Sequence, residues 1–186
     1  MHDYHQYFCT DDSLGLPDNQ ITHLLRDSKN RFWVGTVNGV CLYTDKDNFR
    51  IIPIEADNKN VRQILEDRNG RIFLNTGFQL YAYHPREEKI TCVLPEISPG
   101  NAFYAQCHIA PDNNLWVMTS TGLRCYDPST LQLKESVALN GYPYYSYLHN
   151  NELWITGNHT LSIFDTRTRS FKPLPQPIAQ NTTLCN

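Results

Sequence analysis

The chain has 186 residues, 40% hydrophobic and 19% charged, with 16 basic against 19 acidic side chains. This is the make-up of a folded globular protein; it excludes disordered and collagenous chains, and the length lets one core, or one block of repeats, bury enough apolar surface to offset chain entropy without a disulfide scaffold. A net charge of −3 with scattered basic residues leaves no footprint for a nucleic-acid backbone or an anionic membrane, and no apolar run approaches the roughly 18 to 20 residues that cross a bilayer.

From the N-terminus, Met1-His2-Asp3-Tyr4-His5 lacks the basic and apolar regions of a signal peptide, so an exported parent would carry its signal outside this stretch. The first regular pattern is ITHLLRD, followed by a turn at Ser28-Lys29-Asn30, FWVGT, a turn at Asn38-Gly39, VCLYT, the polar loop Asp45-Lys46-Asp47-Asn48, and FRIIPI. Each apolar segment alternates with period two, which predicts four short strands. The same order returns three more times. Aromatic anchors mark the register at Trp33, Phe73, Trp116 and Trp154, at spacings of 40, 43 and 38 residues, and each is followed ten positions later by a second aromatic: Tyr43, Tyr83, Tyr126 and Phe164.

The first turns of the later units, Arg68-Asn69-Gly70, Pro111-Asp112-Asn113 and Asn150-Asn151, use residues that tolerate positive φ. Four antiparallel strands per unit of about 40 residues predict an all-β chain built as a β-propeller, with blades at 16–57, 58–100, 101–141 and 142–177. Residues 1–15 read as the outer strand and exit loop of a preceding blade, and 178–186 as a tail or the start of the next. A β-sandwich explains the alternation but not the fourfold return of the aromatic pair, and a helical solenoid would need a helical period that is absent.

The segment LPDNQITHLLRDSKNRFWVGTVNGVCLY, residues 16–43, resembles the repeat of the two-component regulator propellers. Leu16, Pro17, Asn19, Asp27, Trp33, Gly35, Thr36, Asn38 and Gly39 fit that repeat. The second unit keeps Asp67, Gly70 and Thr76 but has Phe73 and Asn75 where the pattern has tryptophan and glycine, and the third and fourth keep Trp116 and Trp154. The resemblance implies a piece of a larger periplasmic propeller, the sensor of a hybrid histidine kinase that regulates transcription by phosphorelay, with membrane attachment only through other parts of the chain. Four blades cut from a larger ring are expected to leave unpaired strand edges at both ends, and hence to self-associate.

Catalytic constellations are absent: there is no G-x-S-x-G, G-x-G-x-x-G, Walker loop or H-E-x-x-H, so neither an enzyme nor a cofactor is expected. The six cysteines form no C-x-x-C pair; Cys41, Cys92, Cys107 and Cys125 lie in alternating stretches and are expected to be buried as small hydrophobes, while Cys9 and Cys185 lie near the termini. His2 and His5 are read as exposed, not as metal ligands. Cys107 and His108 are neighbours on a strand, so their side chains point to opposite faces. Asp27 and Asp67 end equivalent strands, where a carboxylate accepts turn amides. Asn158-His159-Thr160 and Asn181-Thr182-Thr183 match the glycosylation sequon by chance if the chain is bacterial.

Binding is the better-supported role. Loops preceding the first strand and joining the second to the third share one face of a propeller, which here would carry Asn38, Phe78, Gln79, Asn101, Phe103, Tyr104, Tyr142, Tyr144, Tyr145, Asn158 and His159. Aromatic rings beside amides suit an oligosaccharide, whose C–H faces stack while its hydroxyls need fixed donors and acceptors. Packing of alternate members of Tyr142-Pro143-Tyr144-Tyr145 between blades is the structural alternative. Arg62, if it points into the ring channel, would meet an acidic sugar. A propeller serving as a protein-docking platform is the alternative function, and a lyase or glycosidase ranks below both because the face has few carboxylates.

Overall fold

The computed structural model describes residues 15–44, 48–56, 58–95, 97 and 105–175. The fold is an all-β propeller. Four sheets of four antiparallel strands follow one another: β1 to β4 (Ile21–Arg26, Phe32–Thr36, Gly39–Tyr43, Phe49–Ile52), β5 to β8 (Gln63–Glu66, Ile72–Asn75, Leu80–His84, Lys89–Leu94), β9 to β12 (Gln106–Ile109, Leu115–Thr119, Gly122–Tyr126, Leu133–Ala138) and β13 to β16 (Pro143–His149, Glu152–Gly157, Thr160–Asp165, Ser170–Lys172). Each is a simple meander in chain order.

The turns carry the chemistry expected of them. Asn30, Gly70, Asn113 and Asn150 take left-handed φ values of 65°, 73°, 65° and 54° between the first and second strands. Asp27 Oδ1 accepts the amides of Lys29 and Arg31, and Asp67 Oδ1 those of Asn69 and Arg71. Both aspartates thus close their hairpins from inside.

Blades stack face to face, and the period-two alternation decides which residues meet. Trp33, Val40 and Leu42 of blade 1 pack on Ile64, Ile72, Leu74, Tyr81 and Tyr83 of blade 2. Phe73 and Ala82 of blade 2 pack on Cys107, Leu115, Val117 and Tyr126 of blade 3. Trp116 and Met118 of blade 3 pack on Leu153, Ile155 and Phe164 of blade 4. The two aromatics of a unit therefore lie on opposite faces. Trp33 and Trp116 enter the junction with the next blade and meet that blade's second aromatic: Trp33 stands edge-on to Tyr83 with centroids 4.9 Å apart, and Trp116 to Phe164 at 5.1 Å. Guanidinium groups cap this packing, with Arg31 5.2 Å from the Trp33 ring and 5.5 Å from that of Tyr83.

One expectation needs correction. Cys41, Cys107 and Cys125 are buried, but Cys92 is exposed, because it sits on β8, an outermost strand whose sides alternate between core and solvent. Neighbouring blades also meet through the main chain, where the Ile90 amide donates to the Pro53 carbonyl at 3.2 Å beside a parallel bridge of Ile54 with Ile90. Cys9, Cys185, His2, His5 and Asp45 to Asp47 lie outside the described residues.

Candidate functional site at the propeller axis

The first strand of each blade lines the axis, and a cavity of about 480 Å³ opens between these four strands. One register position dominates it. His23 pairs with Gly35, Gln63 with Asn75, Gln106 with Met118 and Tyr145 with Thr156. Each partner lies two residues after its unit's aromatic anchor, so these four axial residues are equivalent, and all four line the cavity.

Three of the four also tie their blade to the next. His23 hydrogen-bonds the main chain of Ile64. Gln63 Oε1 accepts the amide of Cys107 at 2.9 Å, and Gln106 Oε1 accepts the amide of Ser146 at 2.6 Å. Asn75, in the glycine position of the repeat, adds Nδ2 bonds to Gln63 Oε1 at 2.7 Å and to the Ala105 carbonyl at 2.8 Å. The axial side chains are thus fixed by bonds across the junctions, which pre-organises what they show to the cavity.

His108, beside the same cavity, has Nε2 2.7 Å from Ser146 Oγ, which also donates to Gln106 Oε1 at 3.0 Å. Burial pushes the His108 pKa down to about 4, so the ring is neutral at pH 7, and burial also lowers that of His23 against a raising main-chain bond to Ile64. Tyr144, Tyr145 and Tyr147 complete the wall and are exposed. No Asp or Glu is among the described residues lining the cavity.

Arg62, Tyr144 and Tyr145, three of the residues proposed from sequence, meet at this cavity. The other described ones sit on the loops around it. Asn38 is exposed in the β2–β3 turn, Asn158 and His159 form the β14–β15 turn, and Tyr142 is exposed just before β13. Phe78 is half-buried with its carbonyl accepting the Ile97 amide, and Gln79 Oε1 is taken by the Tyr81 hydroxyl at 2.7 Å. Asn101, Phe103 and Tyr104 fall outside the described residues. In the Tyr142 to Tyr145 run only Pro143 is buried, so these rings are not packed between the described blades.

Sequence reasoning missed His23, Gln63, Gln106, His108, Ser146 and Tyr147. The signal for the first three was present: polar residues recur on an otherwise apolar inner strand at a constant offset from the anchor.

Residues 15–38 match the family model of the two component regulator propeller. No curated protein matches the sequence. Among solved structures, the chain is similar to extracellular domains assigned to two hybrid two component systems of B. thetaiotaomicron. With BT3049 the identity is 20% and the TM-score 0.66, over 89% of this chain and 23% of that one. With BT4673 the values are 14% and 0.58, over 93% and 32%. Virginiamycin B lyase from Staphylococcus aureus is similar at 17% identity and a TM-score of 0.66, over 86% and 58%. The chain spans about a third of the BT4673 domain or less than a quarter of the BT3049 domain, and at these identities the likeness is one of fold.

Proposed function

We propose that this chain is part of the extracytoplasmic, periplasmic sensor propeller of a hybrid two-component histidine kinase. It binds an oligosaccharide at the axial cavity, and the whole protein converts that binding into transcriptional regulation by phosphorelay. The observation that carries the reading is the meeting of Arg62, Tyr144 and Tyr145 with the axial glutamine and histidine positions in one pre-organised cavity, in a chain holding a regulator propeller repeat. Exposed tyrosines supply stacking faces, and Gln106, whose Oε1 is engaged across the junction, has its Nε2 to offer as a donor. Signalling would require the ligand to favour one packing of the propellers over another, by about 1 to 3 kcal/mol for ordinary allostery.

The reading is of a non-catalytic module. A glycosidase needs two carboxylates across its pocket, and the lining described here offers none. Titration calorimetry with a panel of neutral and uronic-acid oligosaccharides tests the binding step, with Tyr145→Ala as the control. Saturable heat lost in that variant supports it; heat unchanged by Tyr145→Ala, or none with any member of the panel, overturns binding at this cavity.

A further inference from the structure

Arg62 stands at a defined place on the axial wall. It immediately precedes the axial Gln63, so its equivalents in the other blades are Thr22, Ala105 and Tyr144, which precede His23, Gln106 and Tyr145. Arg62, Ala105 and Tyr144 all line the cavity. The segment carrying the arginine is tied to both sides of the junction between blades 1 and 2. The Val61 amide donates to the Thr36 carbonyl at 3.0 Å, the Arg62 amide to the Asn75 carbonyl at 2.8 Å, and the Thr22 hydroxyl to the Val61 carbonyl. Blades 2 and 3, which hold Arg62 and Ala105, are each flanked on both sides by blades of this chain, so the setting of these two residues is internal to it.

This row sets a cation, a methyl group and an aromatic ring in successive blades. Ala105, its smallest side chain, is buried at 2% exposure between the arginine and Tyr144, which is 58% exposed. His23 and His108 are held toward their neutral forms by burial, so Arg62 is the one fixed charge among the described residues lining the cavity. Gln106 Nε2 already serves the hydroxyls of a neutral sugar; a full positive charge adds selectivity for an anion. The planar guanidinium fork matches a carboxylate through two parallel N–H···O bonds.

We propose, resting on the oligosaccharide reading of this cavity, that Arg62 makes it selective for a uronic-acid residue. The sugar carboxylate pairs with Arg62 while the C–H face of its ring lies on Tyr144, in the space that the short side chain of Ala105 leaves between them.

Titration calorimetry of the 186-residue chain with oligosaccharides containing galacturonate, guluronate or glucuronate, each beside its carboxyl-reduced neutral counterpart, tests the selectivity. At least one acidic member should bind about 10- to 100-fold more tightly than its reduced counterpart, a gap that narrows as sodium chloride is raised. Arg62→Gln should close the gap, its loss falling chiefly on the acidic member, and Arg62→Lys should keep part of it, since the charge stays and the fork is lost. Tyr144→Ala should weaken both members of the pair. Circular dichroism verifies folding, and Arg62→Met takes the place of Arg62→Gln should that variant not fold. Equal binding of acidic and reduced members, or a gap that survives in the folded variant, overturns the selectivity and leaves the cavity an oligosaccharide site. No heat with any member of either set overturns the oligosaccharide reading itself, and the selectivity falls with it.

Discussion

Trp33 donates its indole Nε1 hydrogen to Asp27 Oδ2 at 2.9 Å, and blades 2 and 3 each keep one half of this pair. In blade 2 the aspartate remains as Asp67 but the ring is Phe73, and Asp67 Oδ2 is buried with no hydrogen-bond partner. In blade 3 the ring remains as Trp116 but Ala110 occupies the aspartate position, and Trp116 Nε1 is the atom left over. Asp27 also receives Arg31 Nε on the same oxygen at 2.6 Å. Burial would raise the Asp27 pKa, but the bonds from Trp33 and from the Arg31 main chain and guanidinium outweigh it and lower the value.

Asp27→Ala is therefore expected to destabilise the chain more than Asp67→Ala, by about 1 to 2 kcal/mol, the worth of the additional indole and guanidinium bonds. Urea denaturation of the two variants measures this, and equal losses would show that only the turn amides matter.

Gln106→Ala should cost about 1 to 3 kcal/mol, because the buried Ser146 amide loses its acceptor at the junction of blades 3 and 4. Ser146→Ala keeps that amide bond and should cost less. The comparison is made by thermal unfolding, and the reverse order would mean that the hydroxyl contacts to His108 and Gln106 hold the junction.

His108 makes stability depend on pH in a defined window. Its folded pKa of about 4 lies below the ordinary 6.5, so between these values the unfolded chain binds the extra proton and stability falls as pH is lowered from 6.5 towards 4. The full effect is at most on the order of 3 kcal/mol, at 1.36 kcal/mol per pH unit. Asp27 and Asp165, whose pKa values are lowered, lose their contributions as pH falls through the ordinary carboxylate value of 3.8 and on to their lower folded values. The His108→Gln variant should therefore show a shallower loss of stability between pH 6.5 and 4, and a slope equal to that of the wild type would contradict this account.

Gly122 takes φ of 151°, and a Cβ there would lie 2.3 Å from the Val137 carbonyl oxygen. At Gly35 the contact is milder, 3.0 Å from Val61 Cγ1 of the next blade. Gly122→Ala should destabilise by more than about 1 kcal/mol and by more than Gly35→Ala. Denaturant midpoints decide the order.

Among the four described cysteines, Cys92 should be the one that iodoacetamide labels in the native chain, since burial pushes the Cys41 and Cys107 thiols up to about 12 and Cys125 is enclosed as well. Peptide mapping by mass spectrometry reads this directly, and labelling of Cys41 before Cys92 would argue for an open blade 1.

The sequence by itself determined the all-β class, the four-stranded unit, the turn residues and the aromatic pair, because each follows from a local period or from backbone conformations that few residues tolerate. Why the second aromatic recurs ten positions after the anchor was beyond it: Trp33 and Tyr83 belong to different units, and which faces meet is set by how blades stack. The same holds for the axis. Polar residues at 23, 63 and 106 are visible in the string, but their convergence with Arg62 and Tyr145 depends on four first strands being brought around one axis. Period and turn chemistry act over a few residues, whereas the cavity is made by packing between segments about 40 residues apart, and only the tertiary structure decides which of their side chains share a space.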